Sequence, residues 1–204
     1  KGIKNMILKE VMSFQKNEIF DFQEVQELED DTSLFNIDDM EDVEDRNNKG
    51  STANGFILEW TDDYKSAVAY FYGNGNQEQD MKKAEELLKE ECEKNNVLSY
   101  ALLGKLYTIS KNDELSNQIY EKALKGFEEL LNEANNEFTK AYCSYRLGKH
   151  YLYGMGTEVD YQKAYEYFEQ SDNLYGQYSL GVMYQRGLGV IQSDGKALEW
   201  FELS

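Results

Sequence analysis

Proline is absent from the 204 residues, where ordinary usage of about 5% would place about ten. Because proline breaks helices more strongly than any other residue, its absence in a Glu- and Lys-rich chain favours helical structure. No stretch approaches the roughly 18–20 apolar residues of a membrane-spanning helix. Basic residues are also few, 21 against 39 acidic ones, for a formal net charge of −18. Such a charge disfavours direct contact with nucleic acids and with anionic membranes.

Cysteine and histidine are scarce as well. Cys92 and Cys143 are too few for a disulfide scaffold or a cysteine-based zinc site, which is in keeping with a reducing, cytoplasmic compartment. The single histidine, His150, cannot build a multi-histidine metal centre. The chain begins Lys1-Gly2 without a signal-peptide core, so we expect a fragment of a longer protein. No metal and no cofactor are expected.

A gapless internal repeat dominates the second half of the chain. Residues 145–171 and 178–204, related by a shift of 33, are identical at 12 of 27 positions. Both follow L-G-x-x-Y-x-x-G-x-G, a polar loop, and then K-A-x-E-aromatic-F-E. Two degenerate copies precede them, one at 64–90 and one at 98–131 that lacks the paired glycines. We expect four units, over 61–95, 97–133, 141–172 and 175–204.

Each unit predicts two helices joined by a turn. Gly148, in the first helix, has almost no side chain, so another helix can pack closely against it. Gly154 and Gly156 supply the left-handed or turn conformations that end this helix. Asp160 is then a candidate N-cap for the second helix, whose buried stripe includes Phe168.

The pattern resembles the Sel-one-like repeat family, relatives of the tetratricopeptide repeats, over about 70% of the chain. The resemblance is nearly complete in the last two units. It implies an all-α fold, a right-handed α-solenoid of helix-turn-helix repeats in which neighbouring units stack to bury their apolar faces. Members of the family usually continue with another unit, so we expect the array to be truncated at its C-terminus.

An acidic segment, residues 1–55, precedes the repeat region at 56–204. Apolar residues at helical spacing predict an amphipathic helix over about 3–29. Residues 18–45 hold 13 acidic residues and no Lys or Arg. We interpret them as a solvated, partly disordered linker, or alternatively as an acidic, hydrophobic docking segment or nucleic-acid mimic.

No constellation in the sequence predicts catalysis. The glycine pairs follow helices, whereas a phosphate-binding glycine loop follows a strand, so they indicate turns. His150 stands where the next unit has Met183, which indicates packing or helix surface, and the cysteines lack a His or Asp partner at useful spacing. Most tyrosines occupy repeat positions, and one column of the array consists of Tyr70, Tyr107, Tyr151 and Tyr184. We expect a fragment that is not an enzyme and takes no small-molecule substrate.

The repeats present a surface that could bind a partner. By resemblance to tetratricopeptide arrays, the first helix of each unit lines a concave groove, here rich in tyrosine with scattered cations. Aromatic and Arg side chains are frequent interface anchors, so we expect a protein or peptide partner there. The alternative is that they are ordinary exposed tyrosines and lysines. The groove residues are Tyr64, Phe71, Tyr72, Lys105, Tyr142, Tyr145, Lys149, Tyr153, Tyr178 and Arg186.

A second resemblance concerns the parent protein. The run F-I-L-E-W-T-D-D-Y-K at 56–65, followed by Y-F-Y-G-N at 70–74, is similar to the start of the repeats in MobL-type mobilisation relaxases of Firmicutes plasmids and integrative elements. The similarity continues through 122–127 and 145–149. It implies that the chain is the C-terminal repeat region of such a relaxase, with the DNA-nicking residues outside it. The alternative is a stand-alone bacterial Sel-one-like repeat adaptor or effector in signalling.

Overall fold

A computed structural model describes residues 50–73 and 78–204, which belong to the unit Asn47–Ser204. The helix predicted over about 3–29 and the acidic residues 18–45 lie outside the described residues. So does Gly75, the second glycine of the first unit.

Helices in four successive pairs make up the repeat region. They are α1 (Asp62–Tyr72), α2 (Met81–Glu93), α3 (Val97–Ile109), α4 (Asp113–Glu133), α5 (Glu137–Tyr153), α6 (Tyr161–Ser171), α7 (Leu174–Arg186) and α8 (Asp194–Leu203). We call α1, α3, α5 and α7 the first helices, and α2, α4, α6 and α8 the second helices. The two members of a pair pack on each other, and each second helix also packs on the first helix of the next pair. This architecture confirms the all-α solenoid predicted from the repeat.

Each helix begins at a polar residue whose side chain accepts a hydrogen bond from a backbone N–H two or three residues further on. Asp160, the N-cap predicted from the sequence, accepts from the N–H of Lys163 at 3.0 Å. The other caps are Thr61, Asp80, Asn96, Asn112, Asn136, Asn173 and Ser193. Side-chain caps therefore mark the helix starts in this chain without proline.

Glycines end the first helices of the last two pairs, as the sequence predicts. Gly154 and Gly187 are left-handed C-caps, each with φ of 68°. Gly156 follows with φ of 69°, and a Cβ on it would lie 2.3 Å from the backbone nitrogen of Glu121 in α4. The second glycine of the pair thus lets the turn sit directly on the second helix of the preceding pair.

A backbone hydrogen bond recurs in all four pairs. The N–H of the second helix's N-cap residue donates to the carbonyl of the tyrosine near the end of the first helix. The bonds run from Asp80 to Tyr70 (2.8 Å), Asn112 to Tyr107 (2.9 Å), Asp160 to Tyr151 (2.9 Å) and Ser193 to Tyr184 (2.9 Å). The four tyrosines are therefore structurally equivalent, which confirms the column predicted from the sequence.

The glycine of the L-G pattern allows an aromatic ring of the second helix to pack against the first helix. A Cβ on Gly148 would lie 2.6 Å from the Phe168 ring, and one on Gly181 would lie 2.5 Å from the Phe201 ring. Because a side chain at either position would collide with the ring, the predicted close helix approach at Gly148 is confirmed.

The second pair reaches the same packing in a different sequence register. Gly104 faces Tyr120, whose ring would lie 2.7 Å from an added Cβ. The K-A-L-K-G-F match at 122–127 places its phenylalanine, Phe127, about two helical turns beyond Tyr120. The turn before α4 is short, so α4 begins directly after its N-cap Asn112 and is 21 residues long. Phe127 therefore lies further along α4 and packs near Tyr142 and His150 of α5.

A two-stranded antiparallel ladder precedes the helices, with β1 (Gly50–Ser51) paired to β2 (Ile57–Leu58). The Thr52 hydroxyl donates to the Glu129 carboxylate of α4 at 3.2 Å. Further along, the Trp60 ring centroid lies 5.4 Å from that of Tyr142 in α5. This segment therefore contacts the second and third helix pairs as well as leading into the first.

Candidate functional site

The tyrosine column joins successive helix pairs. Tyr107 donates its hydroxyl to Glu85, and Tyr151 donates to Glu128, each at 3.1 Å. Both carboxylates belong to the second helix of the preceding pair. Burial, followed by the Glu128 carboxylate, raises the pKa of Tyr151 to about 12, so its hydroxyl stays protonated near neutral pH. The column thus serves packing between units.

A lysine on the second helix covers the same tyrosines in three of the pairs. The ammonium groups lie within cation–π distance of the rings. The three contacts are Lys83 with Tyr70 (5.1 Å), Lys163 with Tyr151 (4.7 Å) and Lys196 with Tyr184 (5.1 Å). In these three pairs the lysine of the K-A motif therefore lies over the column tyrosine of its own pair, whereas Lys122 of the second pair lies over Tyr100.

His150 is fully buried in α5 between aromatic rings. Its Nδ1 lies 2.7 Å from the carbonyl oxygen of Met155, and its ring centroid lies 5.8 Å from those of Tyr120 and Phe127. Burial, together with the nearby charges of Arg146 and Lys149, lowers the pKa of His150 to about 3. The imidazole is therefore neutral at physiological pH and packs in the core, one of the two placements predicted for it.

Cys92 is half-buried and Cys143 is buried. Burial raises the pKa of Cys92 and of Cys143 to about 12, so both thiols remain protonated and weakly nucleophilic near pH 7. Over 50–73 and 78–204, no group of three or more His, Cys, Asp or Glu side chains is arranged to hold a metal ion. None of the helices in these ranges is long and apolar enough to cross a membrane.

Four of the ten groove residues predicted from the sequence are buried. Phe71, Tyr142, Tyr145 and Lys149 are 2%, 8%, 3% and 2% exposed. Tyr142 contacts Trp60, while the ring of Tyr145 lies 5.7 Å from that of Tyr175 in the next pair. Neighbouring residues cover these four side chains, so a partner could contact them only if those neighbours moved. The four side chains therefore contribute to packing of the first helices.

The other six predicted residues are half-buried. They are Tyr64, Tyr72, Lys105, Tyr153, Tyr178 and Arg186. Lys105 of α3 donates to the hydroxyl of Tyr72 in α1 at 3.3 Å and lies 5.3 Å from that ring's centroid. The structure therefore brings together an aromatic and a cationic member of the predicted set from neighbouring pairs. We call these six residues the first-helix face.

Sequence reasoning missed three further cations on the first helices. Lys65 lies in α1, and Lys140 and Arg146 lie in α5, all half-buried. The Arg146 guanidinium lies 5.5 Å from the centroid of the Phe127 ring. The signal that could have found them is charge: these helices have acidic residues only in their first turns, although the chain as a whole is strongly acidic.

Comparison with known proteins identifies the repeat. The model of the Sel1 repeat family matches residues 64–96, 141–171 and 174–204. The second helix pair, with its shifted register and its turn without glycines, lies between the first two matched stretches.

Two solved structures are similar to the chain. One is a protective antigen of uropathogenic Escherichia coli strains with an SLR fold, at 24% identity and a TM-score of 0.47 over 69% of this chain. The other is a Sel1 repeat protein from Oxalobacter formigenes, at 19% identity and a TM-score of 0.43, also over 69% of this chain. The aligned regions span 29% and 56% of those two proteins.

The relaxase resemblance finds no support in the family match or in these two structures, and it stays a prediction. The Sel-one-like resemblance is confirmed by the matched repeats and by the helix pairs that they cover. The chain contains Sel1 repeats at residues 64–96, 141–171 and 174–204.

Proposed function

We propose that the chain is a non-enzymatic scaffold whose first-helix face binds a protein or peptide partner. Sel1 repeat proteins generally mediate protein–protein interactions. The observation that carries the proposal is the first-helix face itself, in which half-buried tyrosines and cations recur on successive first helices. Half-buried aromatic side chains are anchors of the kind that dominate interface energies, since a partner can finish burying them at little entropic cost.

The buried residues beneath the face contribute rigidity. Tyr145 contacts both Phe168 within its pair and Tyr175 of the next pair, with ring centroids 6.0 Å and 5.7 Å apart. A face supported in this way is preorganised, so that little ordering entropy is lost when a partner binds. The proposed binding surface therefore consists of the six half-buried residues and excludes the four buried ones.

A matched pair of tyrosine variants tests the proposal. Tyr153 on first helix α5 and Tyr167 on second helix α6 are both half-buried. We expect Tyr153→Ser to lose a partner captured from a bacterial lysate by the full chain, while Tyr167→Ser retains it. Mass spectrometry identifies the partner, and circular dichroism checks that both variants stay folded. Equal capture by both variants, or equal loss, would place the binding surface elsewhere.

The full reading frame would distinguish between the two predictions for the parent protein. A histidine-rich relaxase domain upstream would support the mobilisation-relaxase prediction. A secretory signal in the same frame would support a stand-alone adaptor or effector. In either parent, we propose that this chain supplies a protein-binding surface, with no direct role in binding nucleic acid or membranes.

A further inference from the structure

Charge is divided unevenly between the two sets of helices. The first helices carry three acidic residues, Asp62, Asp63 and Glu137, all within a first helical turn. Carboxylates in the first turn are expected, because they complement the positive N-terminal end of the helix dipole. Beyond the first turn, α1, α3, α5 and α7 contain no acidic residue. Their basic residues are Lys65, Lys105, Lys140, Arg146, Lys149 and Arg186.

The second helices show the opposite balance. They carry 16 acidic and 7 basic residues, close to the ratio of 39 to 21 in the whole chain. Several of these cations pair with carboxylates on their own helix, such as Lys89 with Glu85 at 2.7 Å. The acidic character of the repeat region therefore resides largely on the second helices, and the first helices are net positive.

Among the cations of the first helices, Lys140 pairs with Glu137 on its own helix at 2.9 Å, whereas Lys105, Arg146 and Lys149 lie over aromatic rings. Lys105 lies over Phe71 and Tyr72, with the ammonium 5.8 Å and 5.3 Å from the ring centroids. In α5, Arg146 lies over Phe127. A cation keeps its charge when it lies over a ring, so Lys105 and Arg146 contribute positive potential along the first helices. The charges of Arg146 and Lys149 also contribute to the low pKa of His150, in keeping with a positive environment along α5.

We infer that the partner presents an acidic segment with interspersed aromatic residues, and that this segment lies along the first-helix face. The inference rests on the proposed function and adds the chemistry of its ligand. Glutamate or aspartate would meet Lys105 and Arg186, and aromatic residues would pack against the half-buried tyrosines. A nucleic acid is the poorer match, because its continuous phosphate charge would be repelled by the acidic second helices on either side.

The test is fluorescence anisotropy with the full chain and a labelled peptide of about twelve residues, in which two glutamates alternate with one phenylalanine. We expect saturable binding that weakens as salt rises, since the attraction is screened. A peptide with glutamine at every glutamate position should bind at least about tenfold more weakly. Equal binding of the two peptides would overturn the inference while leaving the proposed function standing.

Charge variants locate the site. Lys105→Gln with Arg186→Gln should weaken binding of the acidic peptide about tenfold. Lys82→Gln with Lys125→Gln removes the same charge from exposed positions on second helices and should leave affinity almost unchanged. Lys105→Arg with Arg186→Lys keeps the charge and should retain binding, which separates loss of charge from loss of fold. Equal weakening by the first two variants would show attraction by net charge alone and would overturn the inference.

Two further arms remove alternative explanations. A single-stranded oligonucleotide of similar length that bound more tightly than the peptide, with the same dependence on Lys105 and Arg186, would overturn the choice of ligand. Residues 18–45 share the probe's chemistry, so the titration is repeated on a full-length variant with Asn or Gln at their acidic positions. Peptide binding by that variant that is weakened by Lys105→Gln with Arg186→Gln, as in the wild type, would support the inference. Absence of binding by both proteins would overturn it.

Discussion

The second and third helix pairs reach one packing arrangement through different turns. In the third pair, α5 ends at Gly154 and Gly156 precedes the eleven-residue α6. In the second pair, Lys111 takes the left-handed conformation with φ of 57°, and the 21-residue α4 starts almost at once. Both pairs still bond the N-cap of the second helix to the column tyrosine and seat a ring against the L-G glycine. The comparison shows that the tyrosine and glycine contacts define the unit, while the turn between the helices can vary.

The largest difference in stability between variants of the two pairs is expected for a substitution in the glycine turn of the third pair. We expect Gly156→Ala to lower the free energy of unfolding by about 3 kcal/mol, because Ala is strained at φ of 69° and its Cβ would meet the α4 backbone. Urea unfolding measures the change. Gly195→Ala in α8 is the control, since the nearest atom to its Cβ would be the Ser193 Oγ at 4.0 Å, and the change should be neutral or mildly stabilising. Equal midpoints for both variants would contradict the close approach at Gly156.

A pH comparison distinguishes the third pair from the fourth, because buried Met183 occupies the position of His150. The pKa of His150 falls from an ordinary 6.5 to about 3 on folding, so below pH 6.5 the unfolded chain binds a proton that the folded chain does not. Wild type should therefore lose about 2 kcal/mol of stability from this group between pH 7 and pH 5. His150→Met should lack that loss in urea unfolding at the two pH values. The same loss in both proteins would mean that His150 is protonated in the fold.

The tyrosine column should contribute equally in the second and third pairs despite their different turns. Tyr107→Phe and Tyr151→Phe each remove one hydroxyl that donates to a carboxylate of the preceding pair. We expect each variant to lose about 1 kcal/mol in thermal or urea unfolding. Combining Tyr151→Phe with Glu128→Gln should cost less than the sum of the single changes. A loss confined to one of the two tyrosines would mean that the pairs are joined differently.

The smallest expected effect is a gain in the second pair. Lys111→Gly relieves the left-handed strain of a lysine, offset by the greater freedom of glycine in the unfolded chain. We expect a net stabilisation of about 0.5 kcal/mol in urea unfolding. Lys125→Gly in the middle of α4 should instead destabilise by about 1 kcal/mol. If Lys111→Gly behaves like Lys125→Gly, the turn is not strained.

Much of the fold was predictable because its signals are local. The Asp160 cap, the left-handed Gly154 and the close approach at Gly148 each depend on residue types whose backbone preferences act within a few residues. The helix contact of the second pair was harder to predict, because the K-A-L-K-G-F match indicated Phe127 as the ring that packs against the first helix. The start of α4 at Asn112 instead brings Tyr120 against Gly104.

The helices that carry the candidate residues were predictable from the sequence, whereas the exposure of each residue was not. The spacing of the repeat placed aromatic and basic residues on the first helices, and Tyr72 with Lys105 do meet there. Burial could not be derived from the spacing. Tyr142 is covered in part by Trp60, which lies some eighty residues earlier in the chain, and Tyr145 by Tyr175 of the next pair.

Residue identity and short-range spacing account for the repeat, for the helix starts and ends, and for the concentration of positive charge on the first helices. Tertiary packing sets the exposure of each repeated side chain. Exposure depends on what neighbouring pairs and distant segments cover, and two residues at equivalent repeat positions have different neighbours. Lys149 and Lys105 illustrate the difference: both lie on first helices, yet one is 2% exposed and the other is half-buried.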